Sequence, residues 1–234
     1  MFERPHHLRI AQVLQALDAR RLKELGCLFG GGTAIALRYG EYRESVDVDF
    51  LVSNKTSYGE LRHLLTGAQG LAAIVRDGAS PLTQARDVRA DQYGIRTALR
   101  VAGEPVKFEI VLEGRIQLEA PGIGDAICGV ATLTPLDMVT SKLLANSDRW
   151  ADDGVFSRDV IDLAMMGPSL SLLRLAVTKA QQAYGDSVLR DLARAIEALN
   201  SRKDWLERCM QVMAMSLPKA LVWQRIRALR KVLP

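Results

Sequence analysis

Two aspartates separated by one residue are the strongest chemical signal in the sequence. Asp47 and Asp49 lie in segment 47–52, whose first side chains alternate between polar and apolar and so predict a β-strand. Side chains two apart on a strand share a face, so both carboxylates point the same way. At about 4 Å and an effective dielectric near 20 they repel by roughly 4 kcal/mol. The pair therefore predicts a hard divalent cation, Mg²⁺ or Mn²⁺.

A glycine-rich turn precedes the aspartates. Three glycines, residues 30–32, follow a short apolar run, and Thr33 then begins a predicted helix that reaches residue 39. Glycine backbone amides can approach a phosphate closely, and a helix start favours negative charge. The alternative is a glycine turn beside a solvated acidic edge strand.

The order of glycines, small hydroxyl, helix and Asp-x-Asp resembles the nucleotidyltransferase signature of the DNA polymerase β-like superfamily. Within it, GGTAIAL followed by R-x-S-x-D-x-D-F resembles the AbiEii/AbiGii (MenT-like) toxin family. Arg43 and Ser45 are the Arg and Ser of the second motif. The resemblance covers about residues 28–165. It implies an α+β fold in which a mixed β-sheet with flanking helices precedes a C-terminal helical bundle.

Roles for individual residues follow from the resemblance. It implies metal binding by Asp47 and Asp49, and these nucleotide-binding residues: Gly31, Gly32, Thr33, Arg43, Ser45 and Lys142. Superfamily members carry a third carboxylate on a later strand, and Glu109 is placed there. Two strands, 95–101 and 106–112, are predicted with a turn between them, and Glu109 shares the polar face of the second with Lys107. The alternative is a surface Glu that pairs with a neighbouring Lys.

Two predicted helices after residue 134 carry the remaining candidates. Thr134 and Pro135 start the first helix, which contains Lys142 and ends near Arg149. The second contains Asp159 and Asp162, which lie three apart and share a helical side. The resemblance implies that Lys142 contacts the nucleotide phosphates and that Asp159 or Asp162 acts as base or positioning carboxylate. The alternative is a set of surface salt bridges that includes Arg158.

The net charge of +4 is unevenly distributed. Residues 1–130 carry 16 basic and 16 acidic side chains, residues 131–234 carry 15 and 11, and from residue 200 onward the count is 8 against 2. This favours a polyanionic partner such as RNA, although helix surfaces are often rich in Arg and Lys. We expect a nucleotidyltransferase core at 1–130 and an α-helical domain at 131–234 that completes the active site.

Other segments give weaker expectations. We predict one helix at 7–25, a helix at 55–65 entered through Thr56 and Ser57 with Glu60 placed for a capping box, an irregular stretch at 76–93 broken by Pro81, and three or four helices after residue 170. His6 and His7 are expected to be solvated. Three scattered cysteines indicate reduced thiols, and the lack of a signal peptide or spanning segment predicts a cytoplasmic protein.

The resemblance implies an enzyme that transfers a nucleotide from an NTP to an acceptor hydroxyl and releases pyrophosphate. The favoured acceptor is RNA, at the 3′ end of a tRNA, with the chain acting as the toxin of a toxin–antitoxin pair and an antitoxin as its protein partner. The alternatives are transfer to a protein hydroxyl or a small molecule, and a catalytically silent nucleotide-binding module.

Overall fold

The computed structural model describes residues 2–80 and 82–234, so Pro81 lies outside the described residues. The chain folds into two compact units. Unit 1 contains the described residues of Met1–Arg38 and Ser45–Thr134, and unit 2 contains Tyr39–Glu44 and Pro135–Pro234. The short segment Tyr39–Glu44 thus belongs to unit 2, although the chain on both sides of it belongs to unit 1. The functional division at residue 130 stays a prediction.

Unit 1 combines a mixed β-sheet with helices, as the resemblance implied. In chain order its elements are α1 (Pro5–Ala16), α2 (Ala19–Glu24), β1 (Leu28–Gly30), α3 (Gly31–Arg38), β2 (Val48–Val52), α4 (Lys55–Thr66), a 3-10 helix (Gly70–Ile74), β3 (Thr83–Ala90), β4 (Gly94–Val101), β5 (Glu104–Leu112), β6 (Ala126–Ile127) and β7 (Val130–Ala131). β6 and β7 form a separate two-stranded sheet.

The main sheet has the strand order β1-β2-β5-β4-β3. β2 and β5 are parallel, and the other neighbours are antiparallel. One face carries Phe29, Phe50 and Phe108, which are buried, with ring centroids 5.6 Å apart in each successive pair. Because side chains alternate along a strand, Asp49 and Glu109 occupy the opposite face. The aromatic core thus fixes which way the candidate carboxylates point.

The predicted hairpin is confirmed with a tighter turn. β4 and β5 are joined by Ala102 and Gly103, whose φ angles are 49° and 86°. Two successive residues with positive φ are typical of the type I′ turn, whose twist matches that of the flanking strands. β4 therefore ends at Val101 as predicted, whereas β5 begins at Glu104, two residues earlier than predicted.

The prediction of an irregular stretch at 76–93 is wrong for residues 83–90, because β3 occupies them. β3 is an edge strand with mostly exposed side chains. Its register with β4 shifts between Gln84 and Arg86 and again between Arg86 and Arg89. Such bulges interrupt the two-residue alternation by which a strand is recognised, and a charged edge discourages pairing with other chains.

Two helix predictions need correction. The single helix expected at 7–25 is two helices, because Leu17 is extended and Asp18 caps α2 by accepting a backbone hydrogen bond at 3.0 Å. α4 is capped by Asn54, whose side chain accepts two backbone N–H groups, and not by the predicted arrangement with Glu60. In both cases a short polar residue satisfies the first free amides of the helix.

Unit 2 is helical. Its elements are α5 (Pro135–Arg149), a 3-10 helix (Asp153–Val155), α6 (Arg158–Met166), α7 (Leu170–Tyr184), α8 (Ser187–Ser201), α9 (Trp205–Val212), α10 (Lys219–Ala228) and a final 3-10 helix (Leu229–Val232). α5 begins at Pro135 as predicted, since proline has no amide hydrogen to leave unsatisfied there. α5 packs against α6, α7 and α8. No helix in the described part of the chain is both long and apolar enough to span a bilayer.

Candidate active site

The aspartate pair lies where β2 begins. Asp49 is the second residue of β2, and Asp47 immediately precedes the strand. Both are partly exposed, whereas Val48 and Phe50 are fully buried. The predicted alternation therefore holds around Asp49. Burial of its apolar neighbours leaves the carboxylate on the open face of the sheet.

Glu109 lies beside Asp49 in the parallel register of β2 and β5. Its carboxylate is 2.6 Å from Arg96 Nε and 2.7 Å from Lys107 Nζ. Partial burial would raise the pKa of Glu109, but Lys107 and Arg96 lower it below its ordinary value. The structure thus shows both features that the sequence left open: a third carboxylate next to Asp49, and an ion pair with a neighbouring lysine. Metal binding by Glu109 stays a prediction.

The glycine turn packs directly on Asp49. Gly30 pairs with Asp49 in the antiparallel register of β1 and β2, and Gly31 begins α3 with φ +67°. A Cβ atom on Gly31 would lie 2.6 Å from Asp49 Oδ2 and 2.9 Å from Asp49 Cβ, distances that real Cβ atoms do not show. A side chain at Gly31 is therefore excluded both by its backbone conformation and by Asp49. The two halves of the signature form one local structure.

Thr33 and Ser45 support this turn from within unit 1. Their hydroxyl groups lie 2.7 Å apart, and Thr33 is buried. The Ser45 amide donates to His7 Nε2 at 3.2 Å. His7 is fully buried, so the prediction that it is solvated is wrong: α1 carries it into the core. Contacts of Gly32, Thr33 and Ser45 with a nucleotide stay predictions.

The remaining candidates form a buried ionic cluster in unit 2. Lys142 Nζ lies 2.9 Å from Asp159 Oδ1 and 2.6 Å from Asp162 Oδ2. Arg149 Nε lies 2.6 Å from Asp159 Oδ2. Asp162 is fully buried, Asp159 is 2% exposed and Lys142 is 5% exposed. The surface salt-bridge alternative is therefore wrong, because the aspartates are internal and α5, not Arg158, supplies these cations.

The segment Tyr39–Glu44 contributes two more side chains to this cluster. Arg43 donates from Nε and Nη2 to the two oxygens of Asp162, at 2.6 and 2.9 Å, and Nη1 donates to the Glu44 carbonyl at 2.8 Å. The Tyr42 hydroxyl donates to Asp162 Oδ1 at 2.6 Å. Arg43 is 2% exposed. Its predicted nucleotide contact stays a prediction. In the structure, Arg43 is a buried scaffold residue that pairs with Asp162.

Sequence reasoning missed Tyr42 and His7. Neither belongs to the motifs that carry the resemblance, and no spacing pattern links Tyr42 to Asp162, 120 residues away. The one available signal is that Tyr42 directly precedes Arg43 in the motif segment. Long-range partners of a motif residue can be found only once the chain is folded.

The cluster keeps its carboxylates ionised. Burial alone would raise the pKa of Asp162, but Arg43 and Lys142 hold it below its ordinary value. The pKa of Asp159 is likewise lowered by Lys142 and Arg149 against the effect of burial. Burial, followed by the charge of Asp162, raises the pKa of Tyr42, which stays protonated and donates. A carboxylate with a lowered pKa is a weak base, so this environment favours a positioning role over proton abstraction.

Asp47, Asp49 and Glu109 are the side chains proposed to bind a divalent cation. Within the described residues, no group of three or more His, Cys, Asp or Glu side chains is arranged to hold a metal. Magnesium, however, is commonly bound by one or two carboxylates, while water and substrate phosphates complete its coordination. Asp47 and Asp49 fit this pattern, and Glu109 is already neutralised by two cations. The residues therefore fit a metal that arrives with a nucleotide better than a closed metal cage.

Comparison with known proteins identifies the family. The family model described as nucleotidyl transferase AbiEii toxin, type IV toxin–antitoxin system, matches residues 12–228. Two solved structures are similar. One, from H. pylori and described as a candidate nucleotidyltransferase, has 17% identity and a TM-score of 0.52, with 97% of this chain and 94% of that chain covered. The other, JHP933 from Helicobacter pylori, has 16% identity and a TM-score of 0.53, with 100% and 95% covered.

At these identities the two structures show a shared fold alone. No curated protein sequence is significantly similar to the chain. The family match, by contrast, spans both units and includes every candidate site residue.

Proposed function

The chain belongs to the AbiEii nucleotidyltransferase toxin family, and from this premise we propose that it transfers a nucleotide from an NTP to the 3′ end of an RNA, specifically a tRNA. Family membership makes the chain a nucleotidyltransferase. The proposal adds the acceptor and the residues that act. The observation that carries it is the contact of the glycine turn with Asp49, since Gly31 leaves no room for any side chain beside that carboxylate.

The proposed reaction is an in-line displacement. An acceptor hydroxyl oxygen forms a bond to the α-phosphorus of the NTP, the bond from that phosphorus to the bridging oxygen of the β-phosphate breaks, and pyrophosphate leaves with the electron pair. The proton of the hydroxyl passes to a base or to water. Because such transfers depend mainly on positioning and charge, the protein's task is to orient the two reactants and to stabilise negative charge.

Asp47 and Asp49 are proposed to hold Mg²⁺, with Glu109 as the candidate third ligand. Nucleotidyltransferases of this kind generally use a divalent metal, which when bound stabilises the attacking and leaving oxygens. The glycine turn, through the backbone amides of Gly31 and Gly32, is proposed to bind the β- and γ-phosphates. The positive φ of Gly31 and the start of α3 both support an anion site there.

Lys142 is proposed to neutralise charge on the triphosphate as pyrophosphate leaves. The five charged side chains of its cluster comprise three cations, Arg43, Lys142 and Arg149, and two carboxylates, Asp159 and Asp162. This leaves one positive charge in excess, which an anionic ligand would balance. Asp162 is proposed to hold Lys142 and Arg43 in place, whereas its use as a base would need a higher pKa than this environment supports.

The family description places these proteins in type IV toxin–antitoxin systems, so an antitoxin partner follows for the family. For this chain we propose that the enzyme acts as a toxin in the cytoplasm, where tRNA and NTPs are available.

The experiment is incubation of the full chain with total RNA or lysate and each NTP in turn, labelled on the α-phosphate and, in parallel, on the γ-phosphate. The proposal expects RNase-sensitive α-label and no γ-label on the acceptor. Protease-sensitive label would instead indicate a protein acceptor, and binding of nucleotide without transfer would indicate a silent module. Asp49→Asn provides the control, because it should remove the label while the chain stays folded.

A further inference from the structure

A cleft of about 740 Å³ opens in unit 1 beside Asp47. Strands β3, β4 and β5 form most of its wall, and its cationic side chains are Arg86, Arg89, Arg96 and Lys107. Asp87 is the second acid in its lining. Its lining thus contains four cations and two carboxylates, and the sequence gives no hint of this grouping because residues 1–130 are neutral overall.

A β-bulge produces this arrangement. In a regular strand, Arg86 and Arg89 are an odd number of residues apart and would point to opposite faces. Here Arg86 pairs with Ala98 and Arg89 pairs with Arg96, so three steps along β3 match two along β4. The extra residue returns both arginines to one face. Because Arg96 pairs with Glu109 in the next ladder, that face is the one that carries the candidate carboxylates.

The charge of the side chains changes from one edge of the sheet to the other. One row of paired residues runs from Gly30 through Asp49, Glu109 and Arg96 to Arg89. The phosphate-binding glycines thus lie at one end, the carboxylates in the middle and the arginines at the other end. With strands about 4.8 Å apart, Arg89 is roughly 14 Å from Asp49 along the sheet. Arg89 is therefore too remote to share the phosphates held at the glycine turn.

Arg86 and Arg89 also differ from the other cations of the cleft. Arg96 and Lys107 are ion-paired with Glu109, and Arg96 also with Asp91. The guanidinium groups of Arg86 and Arg89 are exposed, and within residues 2–80 and 82–234 they make no hydrogen bond or ion pair. Two cations held on one face without protein partners are available for a ligand with several negative charges.

We infer that this cleft binds the sugar-phosphate backbone of single-stranded RNA, with phosphates over Arg86 and Arg89 and the terminal hydroxyl toward Asp47 and Asp49. The inference rests on the proposed function for the orientation of the strand, but not for binding itself. A positively charged groove that follows the backbone is the usual means by which proteins hold single strands. The C-terminal helices are a weaker candidate for this RNA site, because Arg202, Lys219 and Arg230 each form an ion pair with a nearby carboxylate.

The test measures binding of a 5′-fluorescein-labelled single-stranded RNA 12-mer by fluorescence anisotropy over a range of salt concentrations. Arg86→Gln/Arg89→Gln should weaken binding on the order of tenfold at low salt and reduce the slope of log K against log salt by about 1.4, since each phosphate contact to a single strand contributes about 0.7. The matched control is Arg227→Gln/Lys231→Gln, which removes two exposed charges from unit 2 and should change neither quantity appreciably.

The inference would be overturned by an unchanged slope in the cleft variant, an equal loss in the control, or no RNA binding by the wild type. A loss of NTP affinity with intact RNA binding would also overturn it and would assign the cleft to the triphosphate. Asp49→Asn separates this inference from the proposed function. It should abolish transfer yet bind RNA at least as well as wild type, because it removes a negative charge at the end of the cleft.

Discussion

The two groups of aspartates in this chain have the same side chains in opposite environments. Asp47 and Asp49 in unit 1 are partly exposed at the start of a strand. Asp159 and Asp162 in unit 2 are buried, and Arg43, Lys142 and Arg149 surround them. In the first group, the carboxylates are open to solvent and repel each other, and the charge of Lys107 offsets part of that repulsion. In the second, the desolvation cost of each charge is offset by direct partners.

These two environments show that a carboxylate in a motif is not by itself a reactive group. The pKa values of Asp159 and Asp162 are lowered by their cationic neighbours, which keeps them ionised and holds those neighbours in place. We therefore expect substitutions of Asp159 and Asp162 to affect mainly the free energy of unfolding. Substitutions in unit 1 should affect mainly the reaction.

Asp162→Ala should produce the largest loss of stability. It removes the acceptor of hydrogen bonds from Arg43 and Tyr42 and a partner of Lys142, and it leaves buried charge uncompensated. Breaking a buried ion pair from one side typically costs about 3–5 kcal/mol. The free energy of unfolding from urea denaturation measures this, with Asp47→Ala as the control, for which a change of no more than about 0.5 kcal/mol is expected. Equal losses in the two variants would remove the contrast between the units.

Much of the first unit could be predicted from sequence because its signals are local. The alternation around Asp49 and the glycine turn each depend on neighbouring residues, and both hold in the structure, as does the equally local Pro135 helix start of unit 2. Strand β3 was missed because its bulges break the two-residue period that defines a strand in sequence. The prediction failed at β3 because the pairing with β4, and not the local pattern, keeps it extended.

Partnership over long sequence distances could not be predicted. Arg43 and Asp162 are 119 residues apart, and the sequence does not indicate that they form a buried ion pair. Lys142 was expected to contact the nucleotide phosphates, and the sequence did not indicate that it is also buried between two aspartates. Helical spacing places residues on a side of a helix, but it does not say what covers that side.

Acidification should destabilise the chain through the buried group, by less than the Asp162→Ala substitution. The folded-state pKa values of Asp159 and Asp162 are lowered, so their contribution is fully present above the unfolded-state pKa near 4 and is lost as pH falls through the lower folded values. The urea midpoint should therefore fall steeply below about pH 4 and change little between pH 6 and 7. Because Asp162→Asn cannot titrate at that position, its midpoint should fall less on acidification. An identical pH dependence in that variant and wild type would contradict the role assigned to the buried group.

Asp49→Asn should not lower stability and yet should abolish transfer. The amide has the same shape as the carboxylate, so it keeps the packing against Gly31 while it relieves repulsion from Asp47. Some attraction to Lys107 is lost, and we therefore expect a free energy of unfolding between unchanged and about 1 kcal/mol higher. Urea denaturation tests this, and label transfer from an α-labelled NTP tests the reaction. Asp47→Asn should behave in the same way. Transfer at the wild-type rate in both variants would remove the carboxylates from the mechanism, and destabilisation as large as that of Asp162→Ala would show that unit 1 depends on its charges as unit 2 does.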